Sequence, residues 1–324
     1  MKEYRVNIDG WRLSFDQPQG TFRWLSQQFS EAADKCVDFG DWRLRMTNSE
    51  FITEEEAEAE SPSEAEVLTE IEADVILADD TVLGHFHFTT SSKCKGLTFF
   101  TFNNKALYAF SGGGVIGMFG VVMQQLGLTL RTQTQIDIAV DVNFNLYLPI
   151  ARHIKDFQRY DMILNGKRIE DENRTLEGVG EWFSRSRKKR ERYPTLYFEH
   201  SRPDGLKLRV YDKTKEVEAS GKNYILEHNG FGKAKTYRFE AVVKWAQFKR
   251  FIHHVKDVDT DCPADWKLRP NETDQEHFER TIHTLVCDDD YSLALWSWAC
   301  DHVLYFRNKQ TNERISMCDL LVRL

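Results

Sequence analysis

Residues 134–142, TQIDIAVDV, constrain the fold more than any other segment: Ile136, Ile138, Val140 and Val142 recur at every second position, with Asp137, Ala139 and Asp141 between them. Side chains alternate with a period of two along a strand and of 3.6 along a helix, so only a strand sorts these residues onto opposite faces. One face is apolar and suited to burial; the other carries two carboxylates. Such a strand needs partners. RVNIDGWRLSF, TLYFEH, LKLRVYDK and TYRFEAVVKW read as strands, while DVILADDTVLGHFHFTT and LTFFTFNNKALYAF read as hairpins turning at Asp79-Asp80 and Asn103-Asn104.

Helical periodicity covers FRWLSQQFSEAADK, LPIARHIKDFQRYDMIL and most of the chain beyond Trp245, including YSLALWSWACDHVLYF. Strands interleaved with helices, the last strands adjacent in sequence, predict the α+β class: an antiparallel sheet with helices packed on one side and a helical C-terminal appendage. The expected division is a domain over 1–245, interrupted by an acidic insertion at about 46–80, and a helical region over 246–324. That region is a candidate for homodimer formation. Trp296 and Trp298, two apart, cannot share one helix face, so this stretch is expected to be buried on several sides.

Between Lys105 and Arg131 lie 25 residues without a charge, long enough to span a bilayer. Six glycines and the pair Gln124-Gln125 argue instead for a strand over 106–110, a glycine turn and a buried helix near 115–128, with no membrane partner. MKEYRVNIDG lacks an apolar core followed by small cleavage residues, so it is not expected to act as a signal peptide. Six cysteines stand singly, without a CxxC pair, which disfavours a zinc ribbon or a disulfide framework and fits a reducing cytoplasm.

The formal charge of −8 conceals an asymmetry. Thirteen Asp and Glu lie between Met46 and Ser92 with no Lys or Arg among them, leaving 43 basic against 38 acidic residues elsewhere. Residues 151–215 hold seventeen basic and eleven acidic side chains, concentrated at Arg185, Arg187, Lys188, Lys189, Arg190 and Arg192. This run is either a solvated face or a phosphate-binding segment. The acidic patch EEEAEAESPSEAE reads as a flexible insertion, in which Ser63 and Glu66 could form a capping box.

In LKLRVYDK, Leu206, Leu208 and Val210 point one way, and Lys207, Arg209, Tyr211 and Lys213 the other. A phenol titrates near ~10, so its attack on a phosphodiester at neutral pH needs a nearby base or positive charge. Arg209 and Lys213 could supply the charge. The alternative is a half-buried tyrosine flanked by cations whose stems cover apolar surface. Asp137, Asp141 and Glu240 lie on strands and could meet around a hard divalent ion such as Mg2+ or Mn2+; singly, each could equally pair with an arginine such as Arg238. Together with Tyr211 they describe metal-assisted phosphoryl transfer. His85 and His87, two apart on a strand, form an alternative metal site. No GxxxxGK[ST] follows the Ser111–Gly114 turn, so nucleotide hydrolysis has no support.

These segments resemble, in order, the Rep_trans-type rolling-circle replication initiators and related relaxases of plasmids, conjugative elements and single-stranded DNA phages. IDGWRLSF is similar to the family's opening, IDIAVDV to its isoleucine-aspartate strand, TLYFEHSRPDGLKLRVYDKTKE to its serine-arginine turn and arginine-x-tyrosine-x-lysine strand, and YRFEAVVKW to its arginine-x-glutamate strand. The resemblance covers roughly residues 1–245. It departs from the family at Glu199-His200 and in the acidic insertion.

What the resemblance implies is a nuclease fold related to the HUH enzymes, a tyrosine forming a 5′-phosphotyrosyl link to nicked DNA, and a divalent metal held by acids. Tyr211 takes the nucleophile position, Asp137, Glu240 and Asp141 the metal positions, and Arg209, Lys213 and Arg238 supporting ones; Arg202, in the serine-arginine turn, joins the DNA contacts. The implied activity is site-specific nicking and rejoining of origin DNA, single-stranded at the nick, with host helicase and polymerase as partners. A conjugative relaxase with the same chemistry and a DNA-binding regulator without catalysis are the alternatives, and a structural or virion protein is a third.

Overall fold

The computed structural model describes residues 2–53, 66–90, 96–110, 112–171, 183–185, 195–199, 205–256 and 262–322. The strands, in chain order, are β1 (Tyr4–Asp16), β2 (Cys36–Asp38), β3 (Trp42–Thr53), β4 (Glu66–Leu77), β5 (Val82–Thr89), β6 (Leu97–Phe102), β7 (Thr129–Val142), β8 (Tyr160–Leu164), β9 (Lys167–Arg168), β10 (Phe183–Arg185), β11 (Thr195–Glu199), β12 (Lys207–Asp212), β13 (Tyr237–Lys244), β14 (Leu304–Asn308) and β15 (Arg314–Ile315). The helices are α1 (Thr21–Glu31), α2 (Asn104–Ala109), α3 (Gly112–Leu126), α4 (Tyr147–Lys155), α5 (Lys213–Ser220), α6 (Tyr224–Asn229), α7 (Trp245–Lys256), α8 (Asp274–Cys287), α9 (Asp289–Val303) and α10 (Met317–Val322). The class is α+β, with a large antiparallel sheet.

Contacts divide the chain into two compact units, Gly10–Thr134 and Met1–Asp9 with Gln135–Leu324. The division does not fall at 245/246. The C-terminal helices belong to the same unit as β12 and β13, on which α9 packs.

In the unit Gly10–Thr134, β6, β5, β4, β3 and β2 follow one another as antiparallel neighbours. Of the acidic insertion expected at about 46–80, the described residues are ordered: β3 and β4 pair from Trp42↔Leu77 to Thr53↔Glu66, while the patch expected to be flexible, including Ser63, lies outside the described residues at 54–65. Ile71, Ala73 and Val75 are buried and Glu70, Glu72 and Asp74 alternate with them, so the charge density sits on the outer face of an ordinary two-sided strand. The uncharged run also departs from expectation. Residues 104–109 are helical, capped by the Asn103 side chain accepting from Lys105 N–H at 2.9 Å, so the second strand of the expected hairpin is absent. In α3, Val115, Phe119, Val122 and Leu126 form one buried stripe, and Phe119 packs among Phe15, Phe86, Phe100 and Phe102. That packing explains the apolar composition. Among the described residues no helix is long and apolar enough to cross a membrane.

In the other unit the strand order is β10-β11-β12-β13-β7, with β15-β14-β8-β9 as a separate small sheet. The helix expected over 148–164 stops at Lys155, and its last five residues are β8. The apolar faces of β12, β13 and β7 (Leu208, Val210, Phe239, Ala241, Ile138 and Val140) are completely buried. α9 covers β13: Trp296 packs edge-on against Phe239 at 5.2 Å and donates from Nε1 to the Phe239 carbonyl at 3.0 Å. Burying such a side chain contributes about 2–3 kcal/mol. Helices are not confined to one side of the sheet, because α6 reaches the polar face of β7 through Asn229, which donates to Asp141 at 2.9 Å.

Candidate active site

Strand register assembles the polar face. β12 pairs with β13 as Arg209↔Glu240 and Tyr211↔Arg238, and β13 pairs with β7 as Arg238↔Asp141, Glu240↔Ala139 and Val242↔Asp137. Directly paired residues point to the same side of a sheet. Arg209, Tyr211, Glu240, Arg238, Asp137 and Asp141 therefore share one face, joined by Thr195 and Tyr197 from β11. β12 ends at Asp212, whose carboxylate caps α5 by accepting from Lys215 N–H at 3.0 Å. Lys213 thus opens a helix rather than continuing the strand, yet its ammonium stands 5.6 Å from the Tyr211 ring centroid.

Two clusters result. In the first, the Tyr211 hydroxyl donates to Glu240 Oε2 at 2.9 Å, Arg209 forms a close ion pair with the same carboxylate, and Arg209 Nη2 lies 3.7 Å from Asp137. Gln135 donates to Asp137 Oδ1 at 2.9 Å. Lys213 pairs with Glu216 at 2.7 Å. These groups line a cavity of about 260 Å³ together with Asp9, Thr195, Tyr197 and Lys222. Burial and the neighbouring Glu240 carboxylate push Asp137 up to about 7. Burial, then Glu240, raises Tyr211 well above an ordinary phenol, while burial, then Arg238, lowers Lys213. At neutral pH the nucleophile candidate is a protonated phenol bonded to a carboxylate.

The second cluster is a buried ion pair. Arg238 and Asp141 have no solvent exposure, and Arg238 grips Asp141 with two 2.7 Å bonds while reaching Asp9 at 2.5 Å. Asn7 and Asn229 donate to the same Asp141 oxygen at 3.0 and 2.9 Å. Asp141, expected as a metal ligand, is consumed as an arginine partner, and Arg238, expected to touch DNA, is sealed beneath the surface. Alternation along a strand fixes the face of a residue, but the neighbouring strand decides its partner.

Asp9 was not singled out by the sequence. It lies two residues before Trp11 in β1, and its ion pair with Arg238 and its place in the cavity wall reveal that it belongs to this face. Asp9, Asp137 and Glu240 are hard oxygen donors around one cavity, a chemistry suited to Mg2+ or Mn2+, and a bound cation would offset the burial and the repulsion from Glu240 that raise Asp137. Among the described residues, no three His, Cys, Asp or Glu side chains are gathered as a metal-holding cluster; Arg209 contacts both Asp137 and Glu240. The alternative site fares differently. His85 bonds Asp74 and His87 bonds Glu70, each at 3.1 Å, so each imidazole has its own carboxylate on β4.

Arg185 lies in edge strand β10, paired with Leu196; Arg187, Lys188, Lys189, Arg190, Arg192 and Arg202 lie outside the described residues. No protein-family model and no curated protein matches the chain. A solved structure similar to it is the rolling circle replication initiator protein from Geobacillus stearothermophilus, 9% identical, with a TM-score of 0.34, the match covering 88% of this chain and 97% of that one. A likeness at that level carries no argument about the site, whose chemistry has to be read from its own residues.

Proposed function

We propose that the chain nicks origin DNA through Tyr211 and so starts rolling-circle replication. The observation that supports this reading is the hydrogen bond from the Tyr211 hydroxyl to Glu240, in a cavity that also holds Asp137, Arg209 and Lys213. The replication context comes from the sequence resemblance. In the proposed step the Tyr211 oxygen attacks the scissile phosphorus and its proton passes to Glu240. The phosphorus–O3′ bond breaks, the 3′ oxygen takes up a proton, and the 5′ phosphate remains on the tyrosine. Because one phosphoester replaces another, the bond energy is conserved for later rejoining, and the released 3′-hydroxyl is the end a polymerase extends. Arg209 and Lys213 stabilise charge on the phenolate and on the phosphoryl oxygens. Asp9, Asp137 and Glu240 would hold a divalent cation, which supplies neutralisation of the phosphate charge when bound. A host helicase would open the duplex, and the basic run 185–192 would hold phosphates, so binding should weaken steeply with salt.

A regulator that binds DNA without cutting it is the second reading. It is favoured by Tyr211 being only 8% exposed, as a packing residue would be. The deciding experiment incubates the protein with Mn2+ and supercoiled DNA containing the sequence around its own gene. A denaturing gel then shows a covalent protein–DNA adduct that maps to the Tyr211 peptide and is lost in Tyr211→Phe. Absence of any adduct from the wild-type protein supports the regulator instead.

A further inference from the structure

Helices α7 and α9 enclose a second cavity, of about 700 Å³, in the unit that also holds β12 and β13. Its wall is aromatic: Trp298 and His302, one turn apart on α9, have ring centroids 4.1 Å apart, and Phe251 meets Trp298 edge-on at 5.8 Å. Its rim carries basic side chains. Arg250 and His254, one turn apart on α7, both face it, and Arg314 closes one end. Among the described residues Asp301 is the one carboxylate lining the cavity, and Arg314 holds it, with Nη2 3.5 Å from Oδ2 and 2.9 Å from the backbone carbonyl. Among the described residues, Arg250 makes only a long 3.4 Å bond to Gln247, and His254 has no hydrogen-bond or ion-pair partner.

Core packing accounts for Trp296 on the opposite side of α9, but not for this arrangement. An arginine and an imidazole without a carboxylate partner among the described residues, beside an aromatic wall, form a receptor for a planar ring bearing a negative charge. We infer that the cavity binds a nucleotide unit, its base against Trp298 and His302 and its phosphate between Arg250 and His254. A base contact of this kind tolerates any base, because each presents a π-face. A cavity of this volume lies in the range that accommodates small ligands. The nucleotide belongs either to a single DNA strand or to a free mononucleotide; both present the same ring and phosphate.

The site is separate from the Tyr211 chemistry, so its test stands apart from the nicking proposal. Full-length protein is irradiated with a short oligonucleotide containing 5-iododeoxyuridine, and in a second arm with 5-iododeoxyuridine monophosphate, and the crosslinked peptides are mapped. The expected crosslink lies at Trp298 or His302, is retained in Tyr211→Phe, and falls roughly tenfold in the double variant Arg250→Ala, His254→Ala, whose side chains are exposed and can be removed without a core cavity. Crosslinking in the oligonucleotide arm alone assigns the site to a DNA strand; crosslinking in both arms assigns it to nucleotides in general. The inference is overturned if neither arm crosslinks there, if the double variant crosslinks like wild type, or if inorganic phosphate competes as well as thymidine monophosphate.

Discussion

The Tyr211 hydroxyl donates to Glu240 Oε2 at 2.9 Å, a diagonal contact between neighbouring strands in which each residue's direct partner is an arginine. The proposed nucleophile is therefore bonded to a group able to take its proton, and guanidinium groups flank both. Converting Tyr211 to Phe removes one hydroxyl from this arrangement and leaves the ring in place. The expected cost in stability is about 1 kcal/mol, the usual net value of one hydrogen bond. Adduct formation should disappear altogether. Glu240→Gln should keep the fold at a larger cost, since Arg209 loses its close partner, and slow adduct formation by roughly 10²-fold or more through loss of the proton acceptor. Thermal melts and single-turnover adduct gels on both variants separate the effects; a Tyr211→Phe protein that still forms the adduct sinks the mechanism.

Asp141 and Arg238 make a structural prediction that opposes the metal-ligand reading of the sequence. Removing one partner of a buried ion pair typically costs about 3–5 kcal/mol, because the other charge is stranded. Asp141→Ala should therefore destabilise the protein by that amount, and Mn2+ should not restore it. Urea denaturation with and without Mn2+ measures this directly. A variant that is fully stable but has lost its metal dependence would show that Asp141 is a ligand after all.

The polar face was legible in part. Alternation in LKLRVYDK and IDIAVDV correctly put Arg209 with Tyr211 and Asp137 with Asp141, since a period of two is a property of the strand itself. What decides chemistry is which residues meet across strands, and that depends on register. Register made Arg238 the direct partner of Asp141 and left Asp137 and Glu240 to Arg209. Asp9, Asn7 and Asn229 were not legible, because their roles arise from contacts more than 80 residues apart in sequence. The hairpin β3–β4 was hidden for another reason: clustered acids outweighed the alternation of Ile71, Ala73 and Val75 beneath them. Residues 104–109 looked extended because their apolar side chains fit either period, and the cap at Asn103 decided for a helix.

The two histidines of β5 provide a control. His85 and His87 each bond a different carboxylate of β4, both partly exposed. Exposed pairs of this kind contribute about 0–1 kcal/mol. The double variant His85→Ala, His87→Ala should retain its fold and its metal-dependent adduct formation within about twofold of wild type. A loss of metal dependence in a folded double variant would move the metal site to β5.

Asp137 gives the sharpest dependence on pH. Burial and Glu240 raise its pKa from 3.8 in the unfolded chain to about 7 in the fold, so between these values the native state holds a proton that the unfolded state has released. Stability from this group is therefore intact below about pH 4, declines as pH rises, and is fully lost above about pH 7. Asp137→Asn escapes the loss: it should be more stable than wild type at pH 8 by about 1–4 kcal/mol, and equal to it near pH 4. A divalent cation acts in the opposite direction, because it binds only the ionised carboxylate and must displace the proton. Mn2+ affinity should therefore climb as pH rises toward about 7 and level off above it, with proton release on binding that vanishes by pH 8. Titration calorimetry at pH 6 and pH 8, in buffers of different ionisation enthalpy, measures both quantities. Affinity that does not change with pH, together with an Asp137→Asn variant that gains nothing at pH 8, would remove Asp137 from the metal site.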